Sequence, residues 1–208
     1  MIANFLALIE RRLGPQLDGE IKEFIGFAVD GARRMDSLIL DLLEYSRIGH
    51  DKIAAQIVDI DKSVAGALIN LRVLIDECQA EIKVGECLPK VFAHPDEILR
   101  LFQNLIGNSI KYRQIGTAPL ISISAHHNGK MAEFSIHDNG IGIEPDECER
   151  IFGIFKRLHT QEKYKGTGIG LAICRKIIAN HGGEIKASSN GPGTGTTITF
   201  TLPTIPPR

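Results

Sequence analysis

The sequence predicts an α+β chain, a two-layer α/β sandwich with a mixed sheet, preceded by an antiparallel helical hairpin. Three observations carry that expectation. Residues 18–47 contain no proline, and Ile21, Ile25, Ala28, Ala32, Met35, Ile39, Leu42 and Ser46 step alternately by four and three, which is a heptad seam. Residues 120–126 and 131–137 alternate apolar and polar side chains on either side of Asn128-Gly129, a strong hairpin signal. Strands and helices do not alternate as a βαβ repeat, which argues against a purely parallel sheet.

The stripe Ile2, Phe5, Ile9 and Leu13 predicts a short first helix, ended by Gly14-Pro15, where glycine can cap and proline cannot continue. Asp18 then caps the second helix, whose charged residues Lys22, Glu23, Asp30, Arg33 and Arg34 suit a solvated face. At a helical rise of 1.5 Å per residue the two run roughly 20 Å and roughly 45 Å. As antiparallel neighbours they leave half of the longer helix facing nothing in this chain. Ile39, Leu42 and Tyr45 are expected to be exposed, to be covered by upstream residues or by a second chain.

After Gly49, residues 55–60 read as a strand, Asp61 as the cap of a helix reaching about Cys78, and residues 81–84 and 91–93 as short strands. Pro95 sits where a first helical turn tolerates it, and Ile98, Leu101, Phe102, Leu105, Ile106 and Ile110 are the apolar face of that helix. Beyond the hairpin, a glycine-punctuated stretch leads to a helix over residues 171–180, ending at His181-Gly182-Gly183. Residues 184–189 and 196–202 close the sheet.

A chain of 208 residues, 43% of them hydrophobic, can bury the core of one small domain with a helical appendage. Its net charge of −1 provides no global basic field for nucleic acid, so any polyanion is held locally. Cys78, Cys87, Cys148 and Cys174 show neither close pairing nor metal-ligand spacing, and are expected to be free, mostly buried thiols in a reducing compartment. No apolar run approaches the roughly 18 residues that span a bilayer. The first residues lack a signal-peptide pattern, so a cytoplasmic location without membrane contact is expected.

Four clusters bear on chemistry. In Asn104-Leu-Ile-Gly-Asn108-Ser-Ile-Lys111-Tyr112 the two amides and the ammonium emerge on one side of a helix. An amide oxygen can ligate Mg²⁺ and an ammonium can neutralise phosphate, although a polar helix face explains the same pattern. Asp138-Asn-Gly140-Ile-Gly142-Ile143 places a carboxylate at a strand end beside two glycines, suited to an exocyclic amine and a flat ring, or to a plain acidic turn. Gly166-Thr167-Gly168-Ile-Gly170-Leu171 runs into a helix, where glycine amides and the helix dipole bind phosphate. No G-K-[ST] follows, so it is not a P-loop. Gly193-Thr-Gly195-Thr196 opens the last strand.

In this order the clusters resemble the N, G1, G2 and G3 boxes of the histidine-kinase ATP-binding domain, in the superfamily that includes the gyrase, Hsp90 and MutL ATPases. Ile151-Phe-Gly-Ile-Phe155-Lys-Arg-Leu158 is similar to its F box, and the stretches 101–108, 155–159 and 166–173 are especially similar to phytochrome-type bacterial kinases. The resemblance implies a partial dimerisation hairpin over residues 1–50 and an ATP-binding catalytic domain over residues 51–208. It implies that Asp138 binds the adenine amine with Gly142 beside the base, that Asn108 holds Mg²⁺, and that Asn104, Lys111 and Tyr112 line the phosphate side. Gly140, Ile143, Thr167, Leu171 and Thr196 join the ATP site, and residues 144–165 form a lid carrying Arg157 and Lys165, closed by Gly166, Gly168 and Gly170.

In that family the first hairpin helix carries the phosphorylated histidine, and residues 1–13 contain none. His50-Asp51 copies a His-acid pair but falls in the expected linker. The function implied is a sensor kinase core that binds Mg·ATP and, in the complete protein, phosphorylates a histidine for transfer to a response regulator receiver domain, under an upstream sensor domain. This chain is expected to bind nucleotide without labelling itself, and to dimerise weakly through the hairpin. The alternatives are an ATP-hydrolysing relative of the gyrase or Hsp90 type, or a non-catalytic dimerisation and phosphotransfer module.

Overall fold

The computed structural model describes residues 2–13, 18–49, 54–158 and 166–206. The Gly14-Pro15 turn, the His50-Asp51 pair, and His159 and Lys165 of the lid lie outside the described residues. The chain divides into two compact units, Met1–Glu44 and Tyr45–Arg208.

The first unit consists of helix α1 (Ile2–Leu13) and most of α2 (Gly19–Arg47). The cap forms as its residue type dictates, with the Ile21 N–H donating to Asp18 Oδ1 at 2.8 Å. Of the heptad positions only Ala32 is buried, with Val29 beside the seam, whereas Ile21, Met35, Ile39 and Leu42 are exposed. The expectation of an uncovered apolar face is met at Ile39 and Leu42 but not at Tyr45. That residue is half-buried, with Lys176 Nζ 4.4 Å from its ring centroid and donating to its carbonyl at 2.6 Å.

In the second unit, β1 (Gln56–Val58) pairs antiparallel with β3 (Val91–Ala93). A five-stranded sheet runs in the order β2 (Glu81–Val84), β4 (Leu120–Asn128), β5 (Met131–Asp138), β7 (Thr196–Pro203), β6 (Ile185–Ser188). Only the β2–β4 pair is parallel, so the sheet is mixed as expected. Helices α3 (Ile60–Asn70), α4 (Arg72–Cys78), α5 (Pro95–Lys111) and α6 (Gly170–Asn180) supply the second layer.

The core follows from alternation. Ala132, Phe134 and Ile136 of β5 and Ile198, Phe200 and Leu202 of β7 are buried, and they meet Ile98, Leu101, Phe102, Leu105 and Ile106 of α5. Phe134 and Phe200 stack at 5.1 Å, and Phe102 meets both edge-on at 6.2 and 5.9 Å. Since the period of a strand is two, Asp138 falls on the same buried face as Phe134 and Ile136, at the open end of the layer.

Some boundaries differ from expectation. Asp59, not Asp61, caps α3, its carboxylate accepting the Lys62 N–H, and this ends β1 earlier. The single helix expected up to Cys78 breaks at Leu71, where the side chain turns toward α5 and its Cδ2 lies 3.8 Å from where a Cβ on Gly107 would stand. Asn128 pairs with Met131, so the hairpin loop is Gly129-Lys130, one residue later than expected, as a primed turn opening on glycine requires. The four cysteines form no disulfide, but only Cys174 is buried, and Cys87 is exposed.

Candidate functional site

The carboxylate at the end of β5 organises a cleft between α5, the loop after β5 and the start of α6. Asp138 is 8% exposed. Its Oδ1 accepts the Gly140 N–H at 2.9 Å and the Thr196 N–H at 3.1 Å, the second made available because Asp138 and Thr196 are register partners across β5 and β7. Its Oδ2 accepts the Ser109 hydroxyl at 3.1 Å. Burial pushes the carboxyl above its usual 3.8, and the hydrogen bonds from Gly140, Thr196 and Ser109, with the nearby His137, offset this in part.

Around that acceptor the walls are apolar and thin. Leu105, Ile141, Ile143, Ile151, Leu171 and Ile198 line the cleft with Gly142, and Asn108, Tyr112 and Thr196 edge it. Lys156, Arg157 and Leu158 line it from the segment that follows the 3₁₀ turn at Arg150–Phe152. An apolar slot with one buried acceptor suits a flat heteroaromatic amine.

The polar end lies toward the N-terminus of α6. Lys111 Nζ donates to Tyr112 Oη at 3.1 Å, and a Cβ on Gly166 would stand 2.6 Å from that ammonium. A Cβ on Gly168 would stand 2.9 Å from Arg157 Cγ, and one on Gly170 would stand 3.5 Å from Asn104 Oδ1. Asn104 Nδ2 is buried without a hydrogen-bond partner. An orphaned donor, Lys111, Arg157 and a helix N-terminus therefore converge on one region, a donor set that suits phosphate. Thr167 is half-buried within this loop.

The structure thus brings Asn108, Tyr112, Asp138, Gly142, Ile143, Arg157, Leu171 and Thr196 into one cleft. Gly140 sits behind it as a donor to Asp138, and Asn104, Lys111, Gly166, Gly168 and Gly170 flank its polar end. Among the described residues no cluster of three or more His, Cys, Asp or Glu is placed to hold a metal ion. Asn108 contributes a single neutral oxygen, which fits a Mg²⁺ held mainly by phosphate oxygens and water.

Several residues escaped the sequence reading. Gln114 Nε2 donates to the carbonyls of Asn139, Gly140 and Gly193, tying the loop after β5 to the β6–β7 turn. Ser189 Oγ accepts the Ile143 N–H at 3.0 Å. Ser109 carried one local signal, its place beside Asn108 on the inward face of α5. Leu105, Ile151, Lys156 and Leu158 lie inside the N- and F-box stretches without having been singled out as lining residues, and Ile198 carries no signal beyond strand alternation.

Comparison with known proteins places this geometry. Residues 93–206 match the family described as histidine kinase-, DNA gyrase B-, and HSP90-like ATPase. The chain is 46% identical over 202 residues to cyanobacterial phytochrome A of Nostoc sp., covering 97% of this chain and 26% of that protein. It is 32% identical over 204 residues to the methanogenesis regulatory histidine kinase FilI of Methanothrix harundinacea, covering 98% of this chain and 23% of that protein. The chain therefore spans about a quarter of the length of these relatives. Full-length ShkA in complex with AMPPNP superposes with a TM-score of 0.69 at 26% identity, covering 97% of this chain and 42% of that one. With that family model matched over more than half of the chain, the chain belongs to the histidine kinase-, DNA gyrase B-, and HSP90-like ATPases.

Proposed function

We propose that this chain binds Mg·ATP in the cleft at the end of β5, and that in the complete protein the γ-phosphoryl group passes to a histidine and then to a response regulator receiver domain. The observation that carries the reading is the buried Asp138, whose Oδ2 is an acceptor in an apolar slot that ends among Lys111, Arg157 and the α6 N-terminus. Asp138 accepts the adenine amine while Ile141, Ile143 and Ile198 sandwich the ring. Asn108 supplies an oxygen to Mg²⁺, which would neutralise phosphate charge when bound. Lys111, Arg157 and Lys165, with the amides of Gly166, Gly168 and Gly170, hold the phosphates, and Asn104 Nδ2 gains the partner it lacks.

Phosphoryl transfer depends on positioning an in-line nucleophile. Neither α1 nor α2 contains a histidine, so this chain retains nucleotide but lacks the acceptor on its hairpin. Incubation with γ-labelled Mg·ATP is expected to give bound nucleotide and no acid-labile label, and joining the chain to an upstream helix bearing a histidine is expected to restore labelling. Label on the chain itself would refute this account of the acceptor and make His50 the first residue to mutate.

The hairpin also carries the dimer reading. Phe24, Phe27, Ile39, Leu40 and Leu43 of α2 are exposed, a denser apolar surface than a lone helix tolerates in water. Light scattering is expected to give a mass rising from monomer to dimer with concentration. A mass fixed at the monomer up to high concentration, or a tight dimer already at nanomolar chain, would contradict a weak dimer.

A further inference from the structure

The two oxygens of Asp138 are not equivalent. Oδ1 is occupied by two backbone donors, Gly140 and Thr196, fixed by the loop and by strand register. Oδ2 faces the cleft with one protein donor, the hydroxyl of Ser109, which is itself 6% exposed and lies one residue after Asn108 on α5. A carboxylate oxygen offers about two lone-pair directions. With one taken by Ser109, the other is left to whatever amine enters the slot. If Asp138 instead takes up a proton, Oδ1 cannot carry it against two N–H donors. The proton goes to Oδ2, where the charge-assisted bond from Ser109 is lost and an O–H confronts an incoming N–H.

We propose that Ser109 is a positioning residue of the adenine site: its hydroxyl holds Oδ2 of Asp138 as an acceptor aimed at the purine amine and so sets the lower pH limit of nucleotide binding. The inference rests on the ATP reading of the cleft. Burial drives Asp138 toward its neutral form, so each donor that favours the ionised form matters. The remaining charged or titratable neighbours among the described residues are few. His137, adjacent on β5, favours the ionised form, and Tyr112 of α5 with Lys156 and Arg157 lines the same cleft. The cleft-lining residues of α6 and β7, Leu171, Thr196 and Ile198, carry no charge. Among the described residues Ser109 is the one side chain that hydrogen-bonds the carboxylate, and the other two donors are backbone groups that no substitution removes cleanly.

The test is calorimetric titration of the full 208-residue chain with Mg·ATP from pH 5 to pH 9, comparing parent, Ser109→Ala, Ser109→Thr and Asp138→Asn. Titration of the nucleotide itself is common to all and cancels in the comparison. Ser109→Ala is expected to bind within about threefold of the parent at pH 9, with the midpoint of its acid-side loss moved up by about one pH unit and affinity below the parent's midpoint about tenfold weaker. Ser109→Thr, which keeps the hydroxyl, is expected to restore the parent midpoint. An unmoved midpoint in Ser109→Ala, or a loss equal at every pH and shared by Ser109→Thr, overturns the proposal. If Ser109→Ala does not fold, Ser109→Cys, with a weaker donor of similar size, must show the upward shift, and an unmoved midpoint there overturns it equally. Asp138→Asn separates the two readings. Binding as tight as the parent's overturns the ATP reading itself, whereas loss of binding with an unmoved Ser109→Ala midpoint overturns only the role of Ser109.

Discussion

Asp138→Asn is expected to weaken nucleotide binding by about 100-fold or more while leaving the chain folded. The amide oxygen can still accept the N–H groups of Gly140 and Thr196, and Ser109 can rotate its hydroxyl to accept from the amide nitrogen. What changes is the face presented to the cleft, where an N–H now meets the N–H of the base. A charged hydrogen bond contributes about 1.5–3 kcal/mol, and a stranded buried donor costs about 1–3 kcal/mol more, which together correspond to a loss of roughly two orders of magnitude or beyond. Stability should move the other way. The folded carboxyl lies above 3.8 because burial penalises its charge, so its contribution to stability is complete below 3.8 and is lost as pH rises through the folded value. Asparagine suffers no such loss. The Tm of the variant relative to the parent is therefore expected to climb with pH above 3.8 and to level off once the parent carboxyl is ionised. Thermal melts across pH check this, and a difference flat with pH would contradict the burial argument.

What the sequence made legible was whatever rests on local pattern. Alternation in β4 and β5, the apolar face of α5 and the proline at its first turn place the core layers as the structure does, because a strand with one buried face has no other register that hides Phe134 and Ile136. The residues that line the candidate cleft were legible where glycine, aspartate and asparagine cluster in motifs. Less legible were the partners supplied across the fold. Ser109 looks like any polar helix residue until β5 brings Asp138 alongside, and Gln114 looks like loop polarity until three carbonyls from two loops converge on it. The cap of α3 was misplaced because Asp59 and Asp61 offer the same chemistry two residues apart. Only the tertiary contact of Asp61 Oδ1 with the Leu88 N–H shows that the second of them has other work. Tyr45 was misjudged for the same reason, since its partner Lys176 lies 131 residues away in sequence.

The same long-range closure makes Gly142 the position where a single methyl group should do most damage. Gly142 has φ +68°, and a Cβ there would stand 2.2 Å from the carbonyl oxygen of Gly191 and 3.2 Å from Ser189 Oγ. Both neighbours are fixed. The Ile143 N–H donates to Ser189 Oγ at 3.0 Å, and the Gly193 N–H donates to the Ile141 carbonyl at 2.7 Å, so the loop after β5 is fastened to the β6–β7 turn on either side of the glycine. An alanine has to push the two loops apart, which breaks those bonds and moves Ile141 and Ile143, the walls of the slot. Gly142→Ala is expected to cost about 3 kcal/mol, lowering Tm by about 6–12 °C in a chain of this size, and to weaken nucleotide binding with Asp138 intact. Gly193 isolates the cause: it too has positive φ, at +82°, but nothing lies within 4 Å of a Cβ there. Gly193→Ala pays only the backbone penalty, about 1 kcal/mol, and should leave the slot and its affinity nearly unchanged. Equal losses in the two variants would place the effect in backbone conformation rather than in the packing of one loop on the other.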